Sequence, residues 1–332
     1  MLIDDVVAIA KRPLKSPLFW YGGKWRLASR VVALLPPHKT YVEPFGGAAY
    51  VLFAKEPSVV EVYNDIDGDL VNFFRVLRDP EKAAELQRRL VYTPYSRSEY
   101  RYACERFSDP DLDDVERARL FFVATRQSFS GQVGQGWGYS VGRYNDDRRQ
   151  SRAHQFRNAV DDLHRAAERL RTVQVECLDY REVLRKYDTP QTVFYCDPPY
   201  HPSTRRDLDC YRYEMNEQDH TEFIDMMLQL QGMALVSGYD CEEYRRLDAA
   251  GWRRFEFASH AHAAGRTAGT GLLGASATDE RHRRTEVVWM NPACARCMET
   301  QPLLPLWEAA MDSDPIYSDE EDDMLDTAEP QL

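Results

Sequence analysis

The heptapeptide FYCDPPY, residues 194–200, starts like a buried β-strand and then cannot continue as one. Proline has no N–H to give a sheet ladder, so the strand has to end at Cys196 or Asp197. What stands at its end is a carboxylate (Asp197), a rigid carbonyl (Pro198) and an aromatic ring (Tyr200). In open parallel sheets, ligands sit beyond the carboxyl ends of the strands. The heptapeptide therefore predicts a buried strand with a candidate site at its end.

The rest of the chain supplies that sheet. Strands are predicted at TYVEPF (40–45), VVEVYN (59–64), TVQVEC (172–177), TVFYCD (192–197), MALVSG (233–238), RRFEFAS (253–259) and TEVVWMN (285–291). Several are short apolar runs with β-branched residues, the pattern of strands covered on both faces. Helical periodicity falls between them at 48–56, 69–79, 160–171 and 221–231. This alternation gives an α/β fold, a doubly wound and mostly parallel sheet. The rhythm fails from about 79 to 160, where arginines and aromatics dominate. Within it, 126–157 holds Arg126, Arg143, Arg148, Arg149, Arg152 and Arg157 against Asp146 and Asp147. That interval is read as an inserted subdomain with a basic face.

The net charge of −12 over 332 residues speaks against a nucleic-acid partner only superficially. Nine acids from Asp312 onward carry −9 of it, and no Lys or Arg follows Arg296. Residues 301–332 read as an acidic, disordered tail. No apolar run approaches the ~20 residues of a membrane span, and no secretory signal is apparent. Seven cysteines do not make a secreted disulfide framework. A cytoplasmic protein, associated with the nucleoid through DNA, is expected, with no membrane partner. The Gly/Ala/Ser/Thr-rich stretch 259–284, with Arg266, Arg281, Arg283 and Arg284, reads as a long functional loop.

Three stretches join the heptapeptide as site candidates. In YVEPFGG (41–47), Glu43 ends a strand and Pro44, Phe45, Gly46 and Gly47 lead towards a helix N-terminus, whose free N–H groups suit a ligand. Ala49 stands where a third glycine would complete a dinucleotide fingerprint, so the motif alone is ambiguous with a tight turn. In NDID (64–67), Asp65 occupies the place of a ribose-binding acid, and Asp67 can cap the next helix in its stead. FWYGGKW (19–25) offers Trp20, Tyr21, Gly22, Gly23 and Lys24 beside a ligand's polar end. It lacks the spacing of a P-loop. Together these suggest an adenosine-bearing cofactor without a diphosphate.

At the heptapeptide itself, Asp197 and the Pro198 carbonyl form two adjacent acceptors, and an exocyclic NH₂ has two donors to give them. Tyr200 supplies a ring for a planar base. Holding both N–H bonds turns the delocalised lone pair of an aromatic amine towards an electrophile and stabilises charge developing on nitrogen.

WYGGK (20–24), VEPFGG (42–47), NDID (64–67) and DPPY (197–200), in this order with a large insert before the last, resemble the Dam-like (D12 class) DNA adenine N6-methyltransferases, in particular phage and prophage members. The resemblance covers most of 15–291. It implies a Rossmann-like methyltransferase sheet, S-adenosylmethionine as donor, and double-stranded DNA as substrate with the adenine flipped out of the helix. The catalytic domain would comprise 1–78 and 161–300, and the mainly helical insert 79–160 would recognise DNA. The catalytic positions would be Asp197, Pro198, Pro199 and Tyr200. Cofactor positions would be Trp20 to Lys24, Glu43 to Gly47, Asp65, Asp179 and Asp197. In the hairpin-like segment 124–145, Phe129 matches an intercalating aromatic, and Arg126 and Arg143 match phosphate or base contacts, with Arg148, Arg149 and Arg266 as further DNA contacts. Gly134 falls where GATC-specific members carry a guanine-reading arginine, so strict GATC recognition is not expected.

Competing readings are methylation of RNA adenine or of a protein amide, and a non-catalytic DNA-binding relative. The basic insert favours duplex nucleic acid over a protein substrate. A cognate restriction enzyme is the one protein partner considered, and monomer and dimer are equally open. No metal is expected: Cys294-x-x-Cys297 lacks a second pair at zinc-finger spacing, although His260 and His262 are within reach in sequence.

Overall fold

The computed structural model describes residues 14–20, 22–140, 151–205, 212–260 and 283–300, with backbone alone at 130, 258–260, 283, 284 and 300. All seven expected strands form: β1 (Thr40–Glu43), β2 (Val60–Asn64), β3 (Val173–Glu176), β4 (Thr192–Cys196), β5 (Met233–Gly238), β6 (Arg253–His260) and β7 (Arg283–Met290). They make one sheet in the order β3-β2-β1-β4-β5-β7-β6. The first five are mutually parallel, and β7 runs antiparallel between β5 and β6. This is the Rossmann-like arrangement that the resemblance implies. The chain leaves β1 towards β2 and β3, and returns to β4 on the other side of β1. The carboxyl ends of β1 and β4 thus form the switch point at which such sheets bind ligands.

The sequence patterns explain the sheet's two cores. Every residue of β4 and β5 is buried, as their unbroken apolar runs require. Alternate residues face opposite layers. Tyr41, Tyr63, Val193, Tyr195 and Leu235 join one cluster, while Val42, Val62, Phe194, Cys196 and Val236 join the other. β4 ends at Cys196, immediately before Asp197 and the two prolines. Because β7 is antiparallel, its first half lies beside the carboxyl end of β5: Val287 pairs with Gly238. Glu286 is thereby brought to the same edge as Asp197.

The helices are α1 (Ala28–Ala33), α2 (Tyr50–Ala54), α3 (Gly68–Arg78), α4 (Pro80–Val91), α5 (Arg97–Arg106), α6 (Asp114–Arg126), α7 (Arg152–Asp161), α8 (Leu163–Leu170), α9 (Tyr180–Tyr187), α10 (Glu217–Gln229), α11 (Arg245–Ala249) and α12 (Pro292–Thr300). Caps mark several starts. Asp67 accepts from Asp69 N–H before α3, Asp79 precedes the Pro80 start of α4, and Asn216 and Asp219 form a reciprocal capping box on α10. The run 160–171, expected as a single helix, is split. Asp162 N–H closes α7 onto Asn158 O, and the Asp162 carbonyl accepts from Arg165 and Ala166 N–H to begin α8.

The interval 79–160 is mainly helical, but its helices share a core with the sheet. Leu86, Leu90, Phe121, Phe122 and Phe156 lie in the cluster that holds Phe73, Phe74 and Tyr63. The Phe73 and Phe122 rings stack at 5.9 Å. α3 therefore mediates between the sheet and the helical layer.

Candidate active site

The carboxyl ends of β1, β2 and β4 open into a cavity of about 760 Å³, inside the range of roughly 300–1,000 Å³ usual for ligand pockets. Trp20, Gly22, Gly23, Lys24, Glu43, Pro44, Phe45, Gly46, Gly47, Asp65, Asp179, Asp197, Pro198 and Pro199 all line it. Residues from five separated stretches of sequence thus meet around one space.

The glycine loop is built for close approach. A Cβ on Gly46 would come within 2.2 Å of the Tyr63 ring, so no larger residue fits without displacing it. Gly47 has φ of +49°, and Ala49 also adopts the left-handed conformation, with φ of 57°. That conformation costs an L-residue roughly 1–2 kcal/mol. Ala49 thus takes a glycine-like backbone at the position where the fingerprint lacks its third glycine. Asp65 gathers the loop: Gly47 N–H donates to its Oδ2 and Asp67 N–H to its Oδ1, each at 2.9 Å. Burial pushes its carboxyl up to about 6. Asp67, not Asp65, caps α3, which leaves Asp65 on the cavity wall. Glu43 ties β1 to α2, its Oε1 accepting from Tyr41 hydroxyl at 2.6 Å and from Leu52 N–H at 2.9 Å, and burial pushes it up to about 7. Asp179 caps α9 by accepting from Arg181 N–H.

The heptapeptide's acid sits in a buried ionic cluster. Lys24 Nζ lies 2.8 Å from Asp197 Oδ1 and 3.0 Å from Glu286 Oε1, donates to the Gly22 carbonyl at 3.0 Å, and also contacts the Tyr200 hydroxyl. Tyr200 in turn donates to Glu286 Oε1 at 2.7 Å. Burial alone would depress the Lys24 ammonium, but Asp197 and Glu286 outweigh it and hold its pKa well above the ordinary value. Burial pushes Asp197 up to about 6, with Lys24 pulling it down and Glu286 pushing it further up. Lys24 thus favours the ionised form of Asp197 against the effect of burial. The Lys24 ammonium holds Oδ1 at 2.8 Å, and the carboxylate keeps further lone pairs for a second donor. A buried acceptor with lone pairs to spare favours an incoming N–H donor.

Several expectations change with the geometry. Tyr200, expected as a stacking platform, does not line the cavity. Its ring packs on Tyr239 at 4.6 Å with Lys24 Nζ 4.6 Å from the ring centre. Arg126, expected on DNA, donates from Nε to the Pro17 carbonyl at 2.7 Å, which ties α6 to the segment preceding Trp20. Phe129 is half-buried in a 3₁₀ turn whose N–H donates to Gly136 O. Ser128 bridges Trp137 across the expected hairpin. Gly134 there has φ of +86°, with open space at its Cβ position. Tyr21, Arg143, Arg148, Arg149, Arg266 and the acidic tail lie outside the described residues.

Sequence reading missed Glu286 and Arg212. Glu286 had a signal, since it is an acid inside an otherwise apolar strand. Arg212 lines the cavity and pairs with Asp67 at 3.3 Å and Asp69 at 2.6 Å. Only the fold brings it there.

Comparison with known proteins identifies the family. Residues 20–247 match the family model of the D12 class N6 adenine-specific DNA methyltransferases. The chain is 25% identical over 230 residues to the DNA adenine methylases of Salmonella typhi and Escherichia coli K12, covering 67% of this chain and 80% of each relative. It is 26% identical over 184 residues to the DNA N-6-adenine-methyltransferase of Escherichia phage P1, covering 55% of this chain and 24% of that protein.

Proposed function

Because the chain belongs to the D12 class of N6 adenine-specific DNA methyltransferases, we propose that S-adenosylmethionine is its methyl donor and that Asp197 and Pro198 receive the target amine. The observation that carries this reading is the placement of Asp197, held by Lys24 at the end of β4, on the wall of the same cavity that the Gly46–Gly47 loop and Asp65 line. The cavity suits two ligands with adenine rings, one of them rotated out of the duplex at a cost of a few kcal/mol. Bound S-adenosylmethionine would supply an electrophilic methyl group on a sulfonium. Asp65 and the Gly46–Gly47 loop would hold its adenosyl part, and Lys24 and the Gly22–Gly23 turn would face its polar end.

This chain's own residues account for the rest. Asp197 and the Pro198 carbonyl would hold both N–H bonds of the adenine amine and turn its lone pair towards the methyl. Positive charge developing on N6 is stabilised by the anionic Asp197 in a site shielded from water. Lys24 keeps that carboxylate ionised and in place. Once the methyl is bonded, N6 is acidic and would pass its excess proton to the adjacent Asp197 carboxylate and on to solvent, so no strong base is required beforehand.

For specificity, the hairpin around 128–137 presents no side chain at Gly134. A bidentate arginine there would have to adopt an unfavourable φ of +86°. We therefore assign relaxed or non-GATC recognition. No helix among the described residues is long and apolar enough to cross a membrane, and action on DNA fits a cytoplasmic enzyme. The test is transfer from labelled S-adenosylmethionine to unmethylated genomic DNA, with every N6-methyladenine mapped. Methylation spread over many adenine contexts supports the reading. Methylation confined to GATC refutes the specificity assignment, and donor binding without any DNA methylation would turn the search to RNA or protein.

A further inference from the structure

A second cluster lies just behind the DPPY loop and takes no part in the chemistry above. His201 follows Tyr200 directly, and Cys241 and Glu243 lie on the loop after β5. Parallel pairing of β4 with β5 delivers both loops to one edge. One ligand atom from each of His201, Cys241 and Glu243 falls within 4.8 Å of the others. His201 Nε2 is 3.3 Å from Glu243 Oε2, close to the edge of a tetrahedron built on bonds of about 2.0 Å. That contact is not a hydrogen bond, and Nε2 is buried with no hydrogen-bond partner among the described residues, on a side chain only 4% exposed.

We propose that His201, Cys241 and Glu243 form a binding site for a zinc-class divalent cation, which pins the catalytic loop to the loop following β5. Ligand softness supports the choice: thiolate, imidazole and carboxylate together suit zinc and exclude magnesium or calcium, which take oxygen donors. The outer partners are in place. His201 Nδ1 accepts from Ser203 N–H at 3.2 Å and lies 2.8 Å from Ser203 Oγ; metal binding at Nε2 would move the ring proton to Nδ1, with Ser203 Oγ as its acceptor. Backbone N–H groups of Tyr244 and Glu243 favour the Cys241 thiolate, although burial pushes the free thiol up to about 11. Binding therefore releases the Cys241 proton to solvent, and one thiolate and one carboxylate neutralise the dication. A neighbouring cavity of about 640 Å³, lined by the same three residues, leaves the fourth position open to water. The linkage would fix Tyr200 relative to Tyr239, since each neighbours a ligand-bearing segment.

The probe is Co²⁺ alone, titrated into chelator-stripped full-length protein without an affinity tag. One equivalent should give a thiolate-to-cobalt charge-transfer band with intense four-coordinate visible bands, and Zn²⁺ should bleach both. Cys241→Ser should abolish the charge-transfer band, while a Cys294→Ser/Cys297→Ser protein should retain it. Ser203→Ala should weaken binding about 10–100-fold. Absence of the band in the unmutated protein, or its survival in Cys241→Ser, overturns the proposal whether or not the variants fold well. Methyl transfer is measured separately, so failure of the metal site and failure of the proposed chemistry are distinguishable.

Discussion

Replacing Lys24 by methionine tests the ionic cluster through its pH dependence. The substitution keeps an unbranched chain of similar length and removes only the charge. Lys24 is 4% exposed, and its ammonium is 2.8 Å from Asp197 and 3.0 Å from Glu286. At an effective dielectric of about 20, a cation at 2.8 Å favours an ionised carboxylate by roughly 6 kcal/mol. Measured effects of a neighbouring cation on an Asp are smaller, about 1–3 pH units. Without Lys24, Asp197 and Glu286 become two carboxylates within about 6 Å in a buried site, and one of them holds its proton more tightly. Asp197, pushed up to about 6 in the intact protein, would then titrate about 1–3 pH units higher. Single-turnover methyl transfer at saturating donor, followed from pH 5 to 9, should show an acid limb near 6 in the parent protein. That limb should move upward in Lys24→Met, with activity partly recovered at high pH. An unmoved limb with a uniform loss at every pH would refute the argument that Lys24 acts by keeping Asp197 ionised.

Other outcomes follow from the same geometry. Gly46→Ala forces a methyl to within 2.2 Å of the Tyr63 ring, so it should cost about 1–3 kcal/mol in chemical denaturation and weaken donor binding. Glu43 has its carboxyl raised to about 7 and is buried, so the folded state holds that proton more tightly than the unfolded chain. Its stabilising contribution is present below the ordinary carboxyl pKa and lost as pH rises through about 7, by roughly 3 kcal/mol at most. Glu43→Gln should flatten that part of the pH–stability curve. Arg126→Ala should lower thermal stability by loosening the 16–17 segment from α6. It should leave unchanged the slope of DNA affinity against salt, which a lost phosphate contact would reduce by about 0.9.

The sheet was legible because its signal is local. Short apolar β-branched runs at βαβ spacing gave all seven strands, and the prolines placed the end of β4. DPPY and the glycine loop were legible for a similar reason, since strand ends and positive-φ positions constrain residue choice where they stand. The helical layer was harder to read. Its helices bury faces against α3 and each other, and nothing in 79–160 alone reveals that Phe121 and Phe122 share a core with Tyr63. The split at Asp162 rests on main-chain bonds invisible to periodicity. Glu286 and Arg212 were overlooked because their roles depend on an antiparallel strand and a loop crossing to the cavity. The cluster of His201, Cys241 and Glu243 is likewise assembled by strand order, and no spacing motif announces it.

The central claim is that Asp197 serves the chemical step by accepting the target amine. The most direct test measures S-adenosylmethionine binding and single-turnover transfer to DNA on one Asp197→Asn protein. Donor binding should be retained and transfer reduced roughly 10²–10³-fold. Transfer at the parent rate would contradict it, as would a loss of transfer explained wholly by lost donor binding.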